Sequence, residues 1–180
     1  RLPELPAQKR ERFVAEYGLG DQDAETLSHE RDVADYFEDV AASAGGQNQL
    51  SANWITTELF GALNHSNLTI DASPVKAPAL GLLMTRIKDG TISGKIAKQV
   101  FESMWESGKD PDTIIAEQGL RQVTDDSEIE ALIDQVLEEN PKQIDQYKAG
   151  KDKVFGFFVG QVMKLSQGTA NPKQVNQLLK

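Results

Sequence analysis

A chain of 180 residues with 39% hydrophobic content and no cysteine is long enough for one ordinary domain or two small ones whose cores need no covalent staples. It holds no disulfide, thiolate nucleophile or thiolate metal site, and no apolar run approaches the roughly 18 residues of a membrane span. A net charge of −9, taken alone, argues against nucleic-acid binding, which needs clustered lysine and arginine.

The periodicity is helical from the start. Pro6 to Tyr17 reads as a helix with Pro6 in the first turn, Phe13, Val14 and Tyr17 inward and Gly18 at its end. Asp21 opens a short segment to Leu27. From Ser28 to Ala42, Val33, Tyr36, Phe37, Val40 and Ala41 recur at spacings of three and four, which defines one buried face. Gly45 and Gly46 stop this helix. Leu50, Trp54, Ile55, Leu59 and Leu63 make the next stripe, and Asn64 to Pro74 is a polar connection. Val75 to Asp89 follows with Leu80, Leu83, Met84 and Ile87 inward; Ser93 then caps a helix reaching Glu106, and Gly108 closes the bundle.

Asp110 to Glu139 carries ten acidic residues against a lone Arg121, yet Ile129, Leu132, Ile133, Val136 and Leu137 fall on one helical face. Thr124, Asp125 and Asp126 are its cap candidates. Asn140-Pro141 breaks that helix and starts another to about Ala149; Gly150 leads into Asp152 to Gln167, and Asn171-Pro172 opens a last helix through Leu179. No period-2 alternation competes with the helical reading. The expected fold is all-α: connecting helices over 1–27, a helical bundle over 28–108, an acidic connector over 109–124 and a small three-helix tail over 125–180.

The net charge hides an asymmetry. Between Pro141 and Lys180 stand Lys142, Lys148, Lys151, Lys153, Lys164, Lys173 and Lys180 against Asp145 and Asp152, a local +5. Within the tail, VFGFFVGQVMKLSQG sets Gly156 and Gly160 four apart in a helix. Each glycine costs about 1 kcal/mol relative to alanine in a helix interior, so the pair needs a compensating reason. Tight packing of a neighbouring helix is one; close approach of a nucleic-acid strand is the other. Lys164 continues the ridge, Gly168 ends the helix, and Asn171 with Lys173 marks the next N-terminus, a place where backbone N–H groups favour phosphate.

Three separated stretches, RLPELPAQKRERFVAEYGL, DGTISGKIAKQVFE and ENPKQIDQYKAGKDKVFGFFVGQVMKLSQGTANPKQVNQLL, resemble in order the C-terminal region of the GatB-type subunit of the bacterial aspartyl/glutamyl-tRNA(Asn/Gln) amidotransferase. The tail also resembles a small stand-alone bacterial family. The resemblance implies a cytoplasmic protein of translation, part of an ATP- and Mg-dependent ligase that converts misacylated Glu-tRNA(Gln) or Asp-tRNA(Asn). It places the catalytic domain outside this chain, consistent with an opening at Arg1 without an initiator methionine, so no cofactor is expected here. The implied partners are tRNA(Gln) and/or tRNA(Asn), together with the other amidotransferase subunits, an A-type glutaminase and a small C-type protein. The implied role is to contact the tRNA elbow and D-loop by shape and phosphate backbone, through Lys148, Lys151, Lys153, Gly156, Gly160, Lys164, Gly168, Asn171 and Lys173. Such recognition suits a module short of exposed aromatic stacking platforms.

The competing class is a protein-interaction module that docks a basic partner through its acidic helix. An independent enzyme is not assembled by these residues. His29 and His65 are far apart in the chain, DDSEIE lacks the ligand spacing of a calcium loop, and Lys88 to Thr91 with Gly94-Lys95 lacks the strand and glycine spacing of a phosphate loop. No catalytic or metal-ligating residue is assigned.

Overall fold

The structure, a computed structural model, describes residues 4–180; the first three residues of the expected 1–27 segment lie outside it. The described residues are all-α, with only an isolated bridge between Val123 and Ala170 in place of a sheet. They divide into two compact units, the first ending at Gly119 and the second spanning Leu120–Lys180. No helix among them is long and apolar enough to cross a membrane.

In the first unit, α1 (Pro6–Tyr17), α2 (Asp21–Ser28) and α3 (Arg31–Ser43) fold onto one another through aromatic contacts. The rings of Phe13 and Phe37 lie 5.0 Å apart and Tyr17 meets Phe37 edge-on at 5.2 Å. Phe13, Ala24, Leu27 and Phe37 are wholly buried. The leading helices expected to be connectors are therefore part of the core. Arg12 ties this corner, donating to both carboxylate oxygens of Glu4 at 3.0 and 2.9 Å and pairing with Glu38 at 2.6 Å.

The next helix runs from α4 (Asn48–Trp54) through a π-helical turn, Ile55–Leu59, into α5 (Phe60–Ser66). The Thr57 hydroxyl donates to the Asn53 carbonyl at 2.6 Å and the Thr56 hydroxyl to that of Ala52 at 3.0 Å. These side-chain bonds compete for the backbone acceptors that a regular helix uses. The polar connection is less irregular than its composition implies, for it holds a 3-10 turn at Ile70–Ala72 and buries Ile70, Ser73 and Val75. The Val75 carbonyl accepts from Tyr36 at 2.8 Å.

Helix α6 (Ala77–Lys88) packs most extensively on α3, and Gly81 makes the approach possible. A Cβ there would lie 2.5 Å from Ser43 Cβ and 2.8 Å from the Val40 carbonyl oxygen. Helix α7 (Gly94–Ser107) is capped by Ser93, whose side chain accepts from the Ile96 N–H at 3.2 Å. The preceding Asp89 to Thr91 turn closes on itself, because Asp89 accepts from the Thr91 N–H at 2.9 Å.

Residues 109–124, expected to be an acidic connector, instead contain α8 (Pro111–Gln118), which packs against α6 and α7 and buries Ile114 and Ile115. Asp110 caps it, accepting from the Thr113 N–H at 3.0 Å and hydroxyl at 2.6 Å. Arg86 binds Asp112 through two bonds, at 2.7 and 2.9 Å. Acidic composition concealed a helix whose acids serve as cap and ion-pair partner.

The second unit contains four helices, not three: α9 (Asp126–Glu139), α10 (Pro141–Lys148), α11 (Lys153–Leu165) and α12 (Pro172–Leu178). The Asn140-Pro141 break separates α9 from α10, since proline supplies no N–H to continue the ladder. Ile129, Ile133 and Val136 of α9 meet Phe158 and Val162 of α11 and Val175 of α12. The Val123 N–H donates to the Thr169 carbonyl at 2.7 Å and the Asn171 N–H to the Val123 carbonyl at 3.3 Å, which pins the entry segment beside the start of α12.

Two expectations follow for stability. Gly81→Val should overpack the α3–α6 contact and destabilise the chain by about 1–3 kcal/mol, read as a lower midpoint in urea. The Asp110 carboxyl is held below its usual range by the Thr113 hydroxyl first and its N–H second. A depressed folded-state pKa contributes stability above the unfolded carboxyl's ordinary value of 3.8, and that contribution is lost as the pH falls below it. Asp110→Ala should cost about 1 kcal/mol at neutral pH; Asp110→Asn should keep most of the cap and remove its acid dependence, measured by thermal unfolding between neutral pH and pH ~3.

Candidate nucleic-acid interface

Packing fixes the rotation of α11. Phe158 and Val162 are buried, at 3% and 0% exposure, and a helix turns about 100° per residue. The side away from them therefore carries Lys153, Gly156, Phe157, Gly160 and Lys164. All five are exposed. A Cβ at Gly156 or at Gly160 would meet nothing within 4 Å, so the glycines do not admit a neighbouring helix within this chain. Tight intramolecular packing is excluded as their reason. They leave a strip of bare helix backbone on the solvent side, with a lysine toward each end about 16 Å apart along the axis.

The other expected residues distribute around this strip. Lys148 ends α10, and Lys151 lies in the turn before α11, which Gly150 shapes at φ 90°. Both lysines are exposed and lead directly to Lys153. Gly168, at φ 79°, closes the C-terminus of α11 by donating its N–H to the Met163 carbonyl at 2.8 Å. Asn171 caps α12, its side chain accepting from the Lys173 N–H at 3.0 Å. That N–H is thus occupied, and the α12 N-terminus is less open to phosphate than the sequence implies. Lys173 itself is exposed.

Charge distinguishes this surface most clearly. Among the described residues, every ion pair lies in the first unit, where Lys9, Arg10, Arg12, Arg31, Arg86, Lys98 and Lys109 face carboxylates. None engages Lys142, Lys148, Lys151, Lys153, Lys164, Lys173 or Lys180. The acids of α9, among them Glu128, Glu130, Asp134 and Glu138, are likewise exposed and outside any ion pair among the described residues. The second unit therefore carries a free acidic helix and a free basic segment.

The aromatic side chains correct one expectation. Tyr147 is 41% and Phe157 is 37% exposed, so the tail does present aromatic surface. Phe157 stands on the lysine-glycine strip, and Tyr147 leans on Phe155 with ring centroids 6.3 Å apart. Angular position around α11 carried this signal in the sequence, since Phe157 shares a face with Lys153, Gly160 and Lys164. Leu165, expected inward, is 38% exposed.

An all-helical class with an unpaired basic surface on its second unit is what this geometry defines. A family model described as the GatB domain matches residues 35–180, and the chain belongs to that family. The B-type subunit of the aspartyl/glutamyl-tRNA(Asn/Gln) amidotransferase of Alkalilimnicola ehrlichii is 56% identical over 179 residues, covering 99% of this chain and 37% of that protein. The proteins of the same name from Nitrosococcus oceani and Thioalkalivibrio sulfidiphilus are 58% and 54% identical over 99% of the chain, which covers 38% of each. The chain thus spans little more than a third of the length of these relatives.

The exposed glycines yield a direct test. Gly156→Ala and Gly160→Ala each fill empty solvent in a helix interior, and each should stabilise the free chain by about 0.5–1 kcal/mol. Urea denaturation followed by circular dichroism measures the gain. Loss of stability in either variant would show that the strip packs against protein.

Proposed function

We propose that this chain is the tRNA-holding, non-catalytic part of a GatB-type amidotransferase subunit, acting on tRNA(Gln) and/or tRNA(Asn) through its basic second unit. The observation that carries the reading is the set of tail lysines left free of ion pairs, while the first unit's cations are largely spent on its own carboxylates. Free cations on a rigid surface release counterions from RNA phosphates, which is a favourable, salt-dependent contribution to binding. The glycine strip suits the same role, because a backbone without side chains admits a sugar-phosphate strand at close range.

The relatives' name supplies the reaction: conversion of Glu-tRNA(Gln) or Asp-tRNA(Asn) to the correctly paired Gln-tRNA(Gln) or Asn-tRNA(Asn). ATP and magnesium belong, in this reading, to the remaining two thirds of the relatives' length, as do the contacts with an A-type glutaminase and a small C-type protein of the same complex. The cytoplasm is the compartment that such a role requires. Contact with phosphates positions the RNA without reading its bases, so selection of one tRNA rests on the shape of its elbow and D-loop.

A second reading rests on the free acids of α9, which offer a docking face for a basic protein. The two readings separate in one experiment. Replacing Lys148, Lys151, Lys153, Lys164 and Lys173 with Gln should weaken tRNA binding and flatten the slope of log K against log salt by roughly 0.7–0.9 for each phosphate no longer neutralised, with helicity unchanged. Neutralising Glu128, Glu130, Asp134 and Glu138 should leave tRNA binding equal or tighter. Unchanged affinity and salt dependence in the five-lysine variant would give the lead to the protein-docking reading.

A further inference from the structure

We propose that Phe157 is a stacking platform for one unpaired base of the bound RNA, so that the tail grips a loop nucleotide as well as a phosphate strand. The proposal rests on the RNA-binding reading above and names the part of the RNA that the surface takes.

Phe157 occupies the middle of α11 on the side opposite Phe158 and Val162, and 37% of its surface meets solvent. A side chain on a helix is ordinarily screened by its neighbours three and four positions away. Here the neighbour at i+3 is Gly160, with nothing within 4 Å of a Cβ built there, and Gly156 precedes the ring with equal clearance. The ring is also held in place: it meets Phe158 in a T-shaped contact with centroids 5.9 Å apart, an arrangement that aromatic quadrupoles favour. Lys153 and Lys164 extend the same face in both directions, and neither enters an ion pair among the described residues.

An oriented aromatic face between two free cations fits a ligand that is flat and apolar in one place and anionic on either side of it. An unstacked nucleotide in an RNA loop has that chemistry, and single-stranded loops are where proteins splay bases onto aromatic side chains. A basic protein partner is repelled by the lysines. An acidic one satisfies the charges but gains nothing from the two bare glycine positions beside the ring.

The experiment measures binding of the full chain to a tRNA(Gln) transcript, and to a blunt RNA duplex, over a series of salt concentrations. Stacking adds a contribution independent of salt, so Phe157→Leu should weaken tRNA binding roughly tenfold at every concentration while the slope set by the lysines stays the same. Binding to the duplex should not change. Phe157→Trp should retain affinity, and its indole fluorescence should be quenched by tRNA beyond any change in the parent chain, which contains Trp54 and Trp105. Circular dichroism checks that both variants fold; Trp, which keeps an aromatic ring, still reports if Leu disturbs the core. Parent-like tRNA binding by Phe157→Leu, equal losses on tRNA and duplex, or an unquenched indole would overturn the stacking proposal while leaving lysine-dependent binding in place. Absence of salt-dependent tRNA binding by the parent chain would instead overturn the RNA-binding reading itself. If Phe157→Leu impairs binding to the purified remainder of the amidotransferase and leaves tRNA affinity intact, the ring belongs to a protein interface and the proposal fails.

Discussion

Burial of Phe158 and Val162 against Ile129, Ile133 and Val136 is the constraint on which the second unit depends. A helix with two such buried positions one turn apart has no rotational freedom left. Everything on its far side is then determined, and that side holds lysine, glycine and an aromatic ring in place of the short polar residues of an ordinary solvated face. The hydrophobic core and the candidate interface are two readings of one angular pattern. Small core changes in α9 would turn α11 and move the interface with it.

Electrostatics divides the labour between the units. In the first, carboxylates and cations meet as neighbours, as where Arg12 joins Glu4 to Glu38 and Arg86 joins Asp112 to Asp89. Exposed pairs of this kind contribute little each, but they leave few cations free to attract an anionic partner. In the second unit the acids gather on α9 and the lysines after Pro141, with no ion pair to join them among the described residues. The chain's net negative charge is compatible with RNA binding because the two signs are separated along the chain. A uniformly mixed surface of the same composition would have no such face.

Much of the helical layout was legible because its punctuation is chemical. Ser93, Asp125 and Asn171 cap helices where the sequence places them, each accepting from a backbone N–H within the first turn. Misreadings arose where composition was weighed above position. Helix α8 was hidden by acidic residues although Asp110-Pro111 is a helix start and Gly119, at φ 61°, is its stop. The π-turn at Ile55–Leu59 depends on threonine hydroxyls bonding the preceding turn, which periodicity does not register. Gly81 is set by what α3 presents to it, and nothing local announces that contact. For the candidate site, the residues were found but their direction was not: Gly156 and Gly160 were placed with the apolar stripe, whereas counting 100° steps from Phe158 sets them facing away.

The bridge between Val123 and Ala170 has an architectural consequence. By tying the first residues of the second unit to the segment that opens its last helix, it closes a loop of chain around the core of Ile129, Phe158 and Val175. Its one covalent tie to the rest runs through Gly119–Leu120. A unit built in this way is portable: gene fusion or scission at that junction moves the whole surface, lysines and glycines included, without cutting its core. Modular inheritance of that kind lets one evolved grip be lent to unrelated machinery, with the host supplying whatever chemistry follows.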